Sequence, residues 1–193
     1  MNKEIFLFYR DALARNLCRE YSNELKKNLE DKKKLFEMSL RQQSIPYFAT
    51  ACYQKWGVEI DFLKKEYKDL INGKYRALNC DGVKEYGYEL WCDNSQSLNV
   101  NSDVLHAMQC NCEMTIPKTK CPIVYISNRS NIKLKGNGYN SIRIYLFDES
   151  TVELDNFDED SNILIYKYSK DCQVNISDGC NSKVKQFDKE LRL

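Results

Sequence analysis

One histidine and three thiols lie within sixteen residues of one another, as His106-x3-Cys110-x-Cys112-x8-Cys121. Imidazole and thiolate are the ligands of structural zinc, and a Cys3His set would close a tetrahedral site. In one regular strand, positions 106, 110 and 112 share parity and face the same side, with Cys121 arriving from the next strand. The spacing departs from the C-x2–4-C knuckle of most zinc modules. The alternative reading makes Cys110 and Cys112 small apolar residues inside a stacked fold, with His106 partly exposed.

A second group is acidic: Asp148, Glu149, Glu153, Asp155, Asp158, Glu159 and Asp160, with no Lys or Arg between Arg143 and Lys167. Carboxylates on adjacent turns would form a negative ridge, suited to a basic protein partner and repellent to nucleic acid. Calcium also takes oxygen ligands, but Phe157 and Ile163 interrupt the series and it lacks an EF-hand pattern. A solvated loop edge is the plainer reading.

Catalytic patterns are absent from the sequence. The seven glycines form no Walker, Rossmann or G-x-S-x-G arrangement. Some β-solenoids cleave acidic polysaccharides with paired carboxylates, yet here no Asp/Glu pair recurs beside Arg or Lys at matching positions. The expectation is a protein that is not an enzyme and needs no cofactor, with zinc as the one exception to test.

The elements that must position these residues divide into two grammars. Residues 3–29 carry Phe6, Tyr9, Leu13, Leu17, Tyr21 and Leu25 at steps of three and four, the pattern of one long amphipathic helix. Lys32–Gln43 reads as a second helix with Leu35, Phe36 and Leu40 inward and the Lys32-Lys33-Lys34 run in solvent. Ser44-Ile45-Pro46 opens a third, apolar helix through Tyr47, Phe48, Ala51, Cys52 and Trp56, with Gly57 as its stop. Asp61 caps a fourth, which carries Phe62, Leu63, Tyr67, Leu70 and Ile71 and ends at Asn72-Gly73.

Beyond Asn79-Cys80-Asp81-Gly82 the period falls to two. The new segment repeats: Ser130–Lys135 matches Ser150–Asp155 at a spacing of 20, and Asp171–Ile176 follows at 21 or 22. About ten residues after each copy lies a second short strand, at Ile142-Arg143-Ile144, Ile163-Leu164-Ile165 and Val184-Lys185-Gln186, spaced by 21 both times. Weaker copies precede them at Leu98–Val100, Val104–His106, Met114–Ile116 and Ile123–Tyr125. Two apolar-x-apolar strands per turn, each turn too small to bury its own face, describe a β-solenoid whose turns share a core. An ordinary β-sandwich is the alternative. The fold expected is α+β: a helical cap of about four helices over residues 1–78, then a β-helix-like solenoid of four to five turns over 79–193. The head would cap one end, with Tyr86, Tyr88 and Trp91 packing the junction, and charged Lys185–Leu193 would protect the other.

Composition narrows the partners. Residues 1–75 hold 15 Lys/Arg against 11 Asp/Glu, and the remainder of the 29 and 28 gives 14 against 17. Neither half has the basic excess of a nucleic-acid binder. No run is long and uncharged enough to span a membrane. The short run Ile5–Phe8 is no secretory h-region, and nine cysteines make an odd count, so reduced thiols in a bacterial cytoplasm or a virion are expected, with no secretion. The sequons at Asn128 and Asn175 then carry no glycan.

Cys18-x-x-Tyr21, the apolar block around Phe48 and the Trp56-Gly57-Val58-x-Ile60-Asp61 segment, followed by solenoid repeats, resemble uncharacterised proteins encoded by phages, prophages and mobile elements of Bacteroides-type gut bacteria. The resemblance covers most of the chain and rests on pattern. It implies a genomic neighbourhood and a fold, with no functional residue to carry over. The role expected is a non-catalytic protein-binding or structural accessory protein that meets a host or virion protein; the alternatives are a zinc-stabilised module and a polysaccharide-active β-helix enzyme.

Overall fold

The computed structural model describes residues 3–39, 50–51, 53–56, 59–67, 75–80, 83–92, 97–100, 102–118 and 120–189. A few N-terminal helices precede a parallel β-solenoid of about four turns, so the expected α+β architecture holds and the sandwich alternative does not.

The expected long first helix is two: α1, Lys3–Ala14, and α2, Arg19–Lys27. Asn16 adopts a left-handed φ of 60°, the Asn16 N–H bonds Leu13 O and the Leu17 N–H bonds Ala12 O. Those two bonds are a Schellman ending, and Leu17 packs beside Ala12 as that motif favours. The apolar period runs on through the break and conceals it. Freed from α2, α1 turns inward on Ile5 and Ala12, leaving Phe6 41% and Leu13 42% exposed.

Helix α3, Lys32–Ser39, starts where the Asp31 carboxylate accepts from the Lys34 N–H at 2.9 Å. Leu35 and Met38 join Ile5 and Leu25 in the head's core. Residues 40–43 of the expected second helix, and 44–49, Cys52 and the Gly57 stop of the expected third, lie outside the described residues. Thr50, Ala51 and Tyr53 are helical, and the left-handed residue that ends them is Lys55, φ 54°, with the Trp56 N–H closing onto Ala51 O. Helix α4, Ile60–Glu66, begins one residue before Asp61, which therefore sits in the first turn and is not the cap; Leu70, Ile71 and Asn72-Gly73 lie outside the described residues.

Among the described residues twelve strands follow: β1 Tyr75–Cys80, β2 Val83–Cys92, β3 Ser97–Asn99, β4 Val104–Met108, β5 Asn111–Pro117, β6 Ile123–Ser127, β7 Asn131–Gly138, β8 Ser141–Leu146, β9 Thr151–Phe157, β10 Asn162–Lys167, β11 Gln173–Ile176 and β12 Lys183–Asp188. They form a seven-stranded sheet A, β1-β2-β4-β6-β8-β10-β12, and a five-stranded sheet B, β3-β5-β7-β9-β11. Every pair is parallel except the β1–β2 hairpin. The first strand starts at Tyr75, just before the expected boundary at 78/79. Register advances by 20, 20 and 22 residues from β5 to β11 (111 to 131, 131 to 151, 151 to 173), and by 21 at each of the last two steps of sheet A (141 to 162, 162 to 183), as the internal matches require.

Inward residues interleave as one apolar column. Met114, Leu134 and Leu154 stack from sheet B against Val124, Ile144 and Ile165 from sheet A, all fully buried. Each contributes about 1.5–3 kcal/mol by leaving water. Gly136 breaks the column because Phe157 fills its space: a Cβ there would come 2.8 Å from Phe157 Cγ and 2.9 Å from Asn156 O.

Corners recur too. Gln109, Asn128 and Asp148 occupy equivalent places after β4, β6 and β8, and all three are left-handed, with φ of 49°, 58° and 58°. Two residues further on, Ser130 Oγ accepts the Cys110 N–H at 3.1 Å, and Ser150 Oγ accepts the Ser130 N–H at 3.2 Å. These buried hydroxyls satisfy backbone donors that the bend removes from the strand ladders.

Candidate functional site

The structure does not gather the four candidate zinc ligands. His106 points outward from sheet A, and its Nε2 lies 2.8 Å from Ser127 Oγ. Gln109 then turns the corner into β5, so the parity that would align position 106 with 110 and 112 is lost. Cys110 and Cys112 belong to the inner core, as the alternative reading held, whereas Cys121 is exposed before β6. Among the described residues no group of three or more His, Cys, Asp or Glu side chains is placed to hold a metal. His106 is not partly exposed but fully buried, and desolvation pushes its pKa down to about 3, so the ring is neutral. A hydrogen bond from Cys110 lowers the Cys112 thiol against the opposing effect of burial. Burial pushes Cys172 up to about 11, and its Sγ donates to Asp148 O at 3.1 Å.

Nor do the seven carboxylates form one ridge. Asp148 and Glu149 sit on a corner, where Asp148 accepts the Asn128 N–H at 2.7 Å and Glu149 lies 3.4 Å from Arg129. Desolvation raises the Asp148 pKa, with the Asn128 hydrogen bond opposing it. Glu153 and Asp155 project from the outer face of sheet B and share Lys133. Asp158, Glu159 and Asp160 stand exposed on the turn before β10, with Asp160 3.9 Å from Lys183.

What sequence reasoning missed lies on the outer face of sheet A. Residues His106, Tyr125, Tyr145, Tyr166 and Phe187 are successive register partners, one per turn. Their ring centroids step by 6.4, 4.8, 5.1 and 5.1 Å, and the last three steps are stacked within 19° of parallel. A second row begins with Phe147 and Tyr168, 5.0 Å apart and 6° from parallel. Offset stacking of this kind contributes about 0.5–1.5 kcal/mol per pair beyond burial. These rings recur at spacings of 20, 21 and 21 in the sequence, but that spacing does not say which face of the sheet they occupy.

The head covers part of this face. Tyr53 packs on Phe147 at 6.2 Å, in a cluster with Val104 and Tyr125, and Lys55 lies close enough to Asp148 to favour its charge. Among the described residues this contact falls on the flank of the solenoid. The side chains of Tyr86, Tyr88 and Trp91, on β2, lie outside the described part of the structure. Towards the C-terminus the cover runs out: Tyr145, Tyr166 and Tyr168 are half-buried and Phe187 is exposed. Arg143, Lys185 and Lys189 surround these rings, with Lys189 Nζ 5.6 Å from the Tyr166 ring.

No family model, no curated protein and no solved structure matches this chain. Among the described residues no helix is long and apolar enough to cross a membrane.

Proposed function

We propose that the protein is a non-catalytic binding or structural accessory component of a phage or mobile element, acting through its solenoid surface and helical head on a host or virion protein. The observation that carries the reading is the aromatic face of sheet A. It is built as a docking surface, since the head's own Tyr53 already docks on its upstream part, and it continues uncovered through Tyr166 to Phe187. Contiguous apolar surface rimmed by cations is a feature of protein contact sites. Nucleic acid suits it poorly, because the rings stack on each other and offer edges where bases need faces. The phage or mobile-element origin rests on the sequence resemblance alone, as does the bacterial cytoplasm or virion as its place of action.

The test is affinity purification of the tagged protein from host lysate, with and without infection, followed by mass spectrometry and a metal assay on the eluate. One stoichiometric protein, lost when Tyr166 and Phe187 are both changed to Ser, supports the reading. Zinc at one per chain with no partner would overturn it and return the argument to His106, Cys110, Cys112 and Cys121.

A further inference from the structure

The solenoid's last turn is incomplete in a way the turn before it is not. In the preceding turn Val152, Leu154, Ile163 and Ile165 are fully buried. Their register partners in the last turn are Val174, Ile176, Val184 and Gln186. Val174 and Val184 are only half-buried, Gln186 is exposed, and Ile176 is 48% exposed. Of the charged segment expected to shield this end, Lys185–Leu193, the first four residues belong to β12 itself, the edge of sheet A. Glu190–Leu193 lie outside the described residues.

Three features of that edge specify an occupant. First, the N–H of Lys183 bonds Ser161 O, just before β10, and that of Lys189 bonds Lys167 O at its end, so by the alternation of a parallel strand the peptide groups of Val184, Gln186 and Asp188 face outward. Second, the aromatic row ends on Phe187, which is 37% exposed. A further strand at the usual 4.7–4.9 Å would place a ring in the same stack. Third, the residues that share Phe187's face of β12 are Lys183 and Lys185, while the exposed Asp188 carboxylate is already engaged by Lys167 at 3.1 Å. Lys183 meets Asp160 only at 3.9 Å, and among the described residues no carboxylate pairs with Lys185.

We infer that β12 accepts one parallel β-strand from an acidic partner protein, a strand carrying a carboxylate opposite Lys185 and, two residues on, an aromatic ring opposite Phe187. The inference rests on the protein-binding reading and names the partner's chemistry. Main-chain hydrogen bonds to Val184, Gln186 and Asp188 would supply affinity, and the alternating side chains would supply selectivity. A second copy of this chain fits poorly. Its own β12 would bring the same lysines to the junction, and like charges opposite one another in a sheet are destabilising. The other edge of sheet A, Tyr75–Cys80, contains no carboxylate.

The test is fluorescence anisotropy of the full chain with a labelled octapeptide that has valine at the two inward positions, glutamate opposite Lys185 and tyrosine opposite Phe187. Saturable binding is expected, weakened at least tenfold by Lys185→Glu and regained when the peptide's glutamate becomes lysine against that variant. Gln186→Pro, which removes an outward N–H but none of those bonded to β10, should also abolish it. Thermal melts of both variants report folding, and the charge swap remains decisive if one is destabilised. Absence of binding to the wild type, or equal binding by Lys185→Glu, overturns the inference. So does a dimer of the chain alone that Lys185→Glu dissociates. A stoichiometric partner captured from lysate despite either result would leave the protein-binding reading standing while this site falls.

Discussion

The outer faces of the two sheets share one backbone geometry and carry opposite chemistry. On sheet A a single row holds Tyr125, Tyr145, Tyr166 and Phe187 in succession. On sheet B the corresponding rows read Glu113, Lys133, Glu153 and Thr115, Lys135, Asp155, with Lys135 bridging back to Glu113 at 2.8 Å. Rings can follow rings because each gains from the next. Charges must change sign at each turn, because like charges opposite one another repel. A solenoid can therefore repeat its aromatic rows and must alternate its ionic ones. The first kind of row contributes stability through buried area, the second mainly solubility and register.

The largest separation between the faces should come from Tyr145→Ala. Tyr145 stacks on Tyr125 at 4.8 Å and on Tyr166 at 5.1 Å, with Tyr168 at 6.2 Å, so truncation removes three ring contacts and opens a gap in the middle of the row. We expect a loss of about 2–4 kcal/mol in urea unfolding, with Tyr145→Phe costing a small fraction of that. A cost for Tyr145→Ala no greater than that of a surface charge deletion on sheet B would break the comparison.

Next in size is a pH effect confined to sheet A. His106 has a folded pKa near 3 against an ordinary value of 6.5, because burial disfavours its charged form. Between those values the unfolded chain binds a proton that the folded chain refuses, so stability falls as pH drops below 6.5 and keeps falling until the folded ring titrates. Linkage puts the loss at about 2 kcal/mol between pH 7.5 and 5, where few carboxylates contribute. His106→Phe keeps a ring in the row and removes the titration. Its unfolding free energy should be flatter over that interval by the same amount, whatever it loses from the Ser127 contact. Parallel pH profiles for the two proteins would mean that His106 is not held neutral in this row.

What could be read in advance follows the same division. Ile132, Val152 and Val174, and Ile142, Ile163 and Val184, declared the solenoid because every turn must present an apolar side chain at the same place in the column. The aromatic row obeys that spacing as well, but a tyrosine does not show in sequence which side of a strand it occupies. Corners were illegible for a different reason. Gln109, Asn128 and Asp148 fill one left-handed position with three residue types and no glycine. That unmarked turn at Gln109 is why the spacing alone puts His106 and Cys110 on one strand face, and Asn16 hides the end of α1 in the same way. Charged residues resisted both readings. Alternation of sign blurs the repeat, and seven carboxylates close in sequence were dispersed onto a corner, a sheet and a turn.

The smallest effect belongs to sheet B, and its smallness is the claim. Lys133 lies between Glu153 and Asp155, and the hydrogen bond to Glu153, followed by that to Asp155, raises its pKa. Reciprocally, the Lys133 bond lowers Glu153, with help from the Ser177 hydroxyl at 3.1 Å. Both partners remain about one-third exposed, so solvent screens their attraction and ordering two long side chains offsets much of the gain. Lys133→Met retains the aliphatic stem over the sheet and leaves two carboxylates, on either side of Leu154 in β9, without their cation. We expect a fall in Tm of about a quarter of that produced by Tyr145→Ala, vanishing in 1 M NaCl, where the screening length is about 3 Å. The Tyr145→Ala deficit should persist at that salt concentration. A Lys133→Met deficit that survived high salt would show that sheet B's ionic rows are structural in the same sense as sheet A's rings, and the contrast between the two faces would then be one of composition alone.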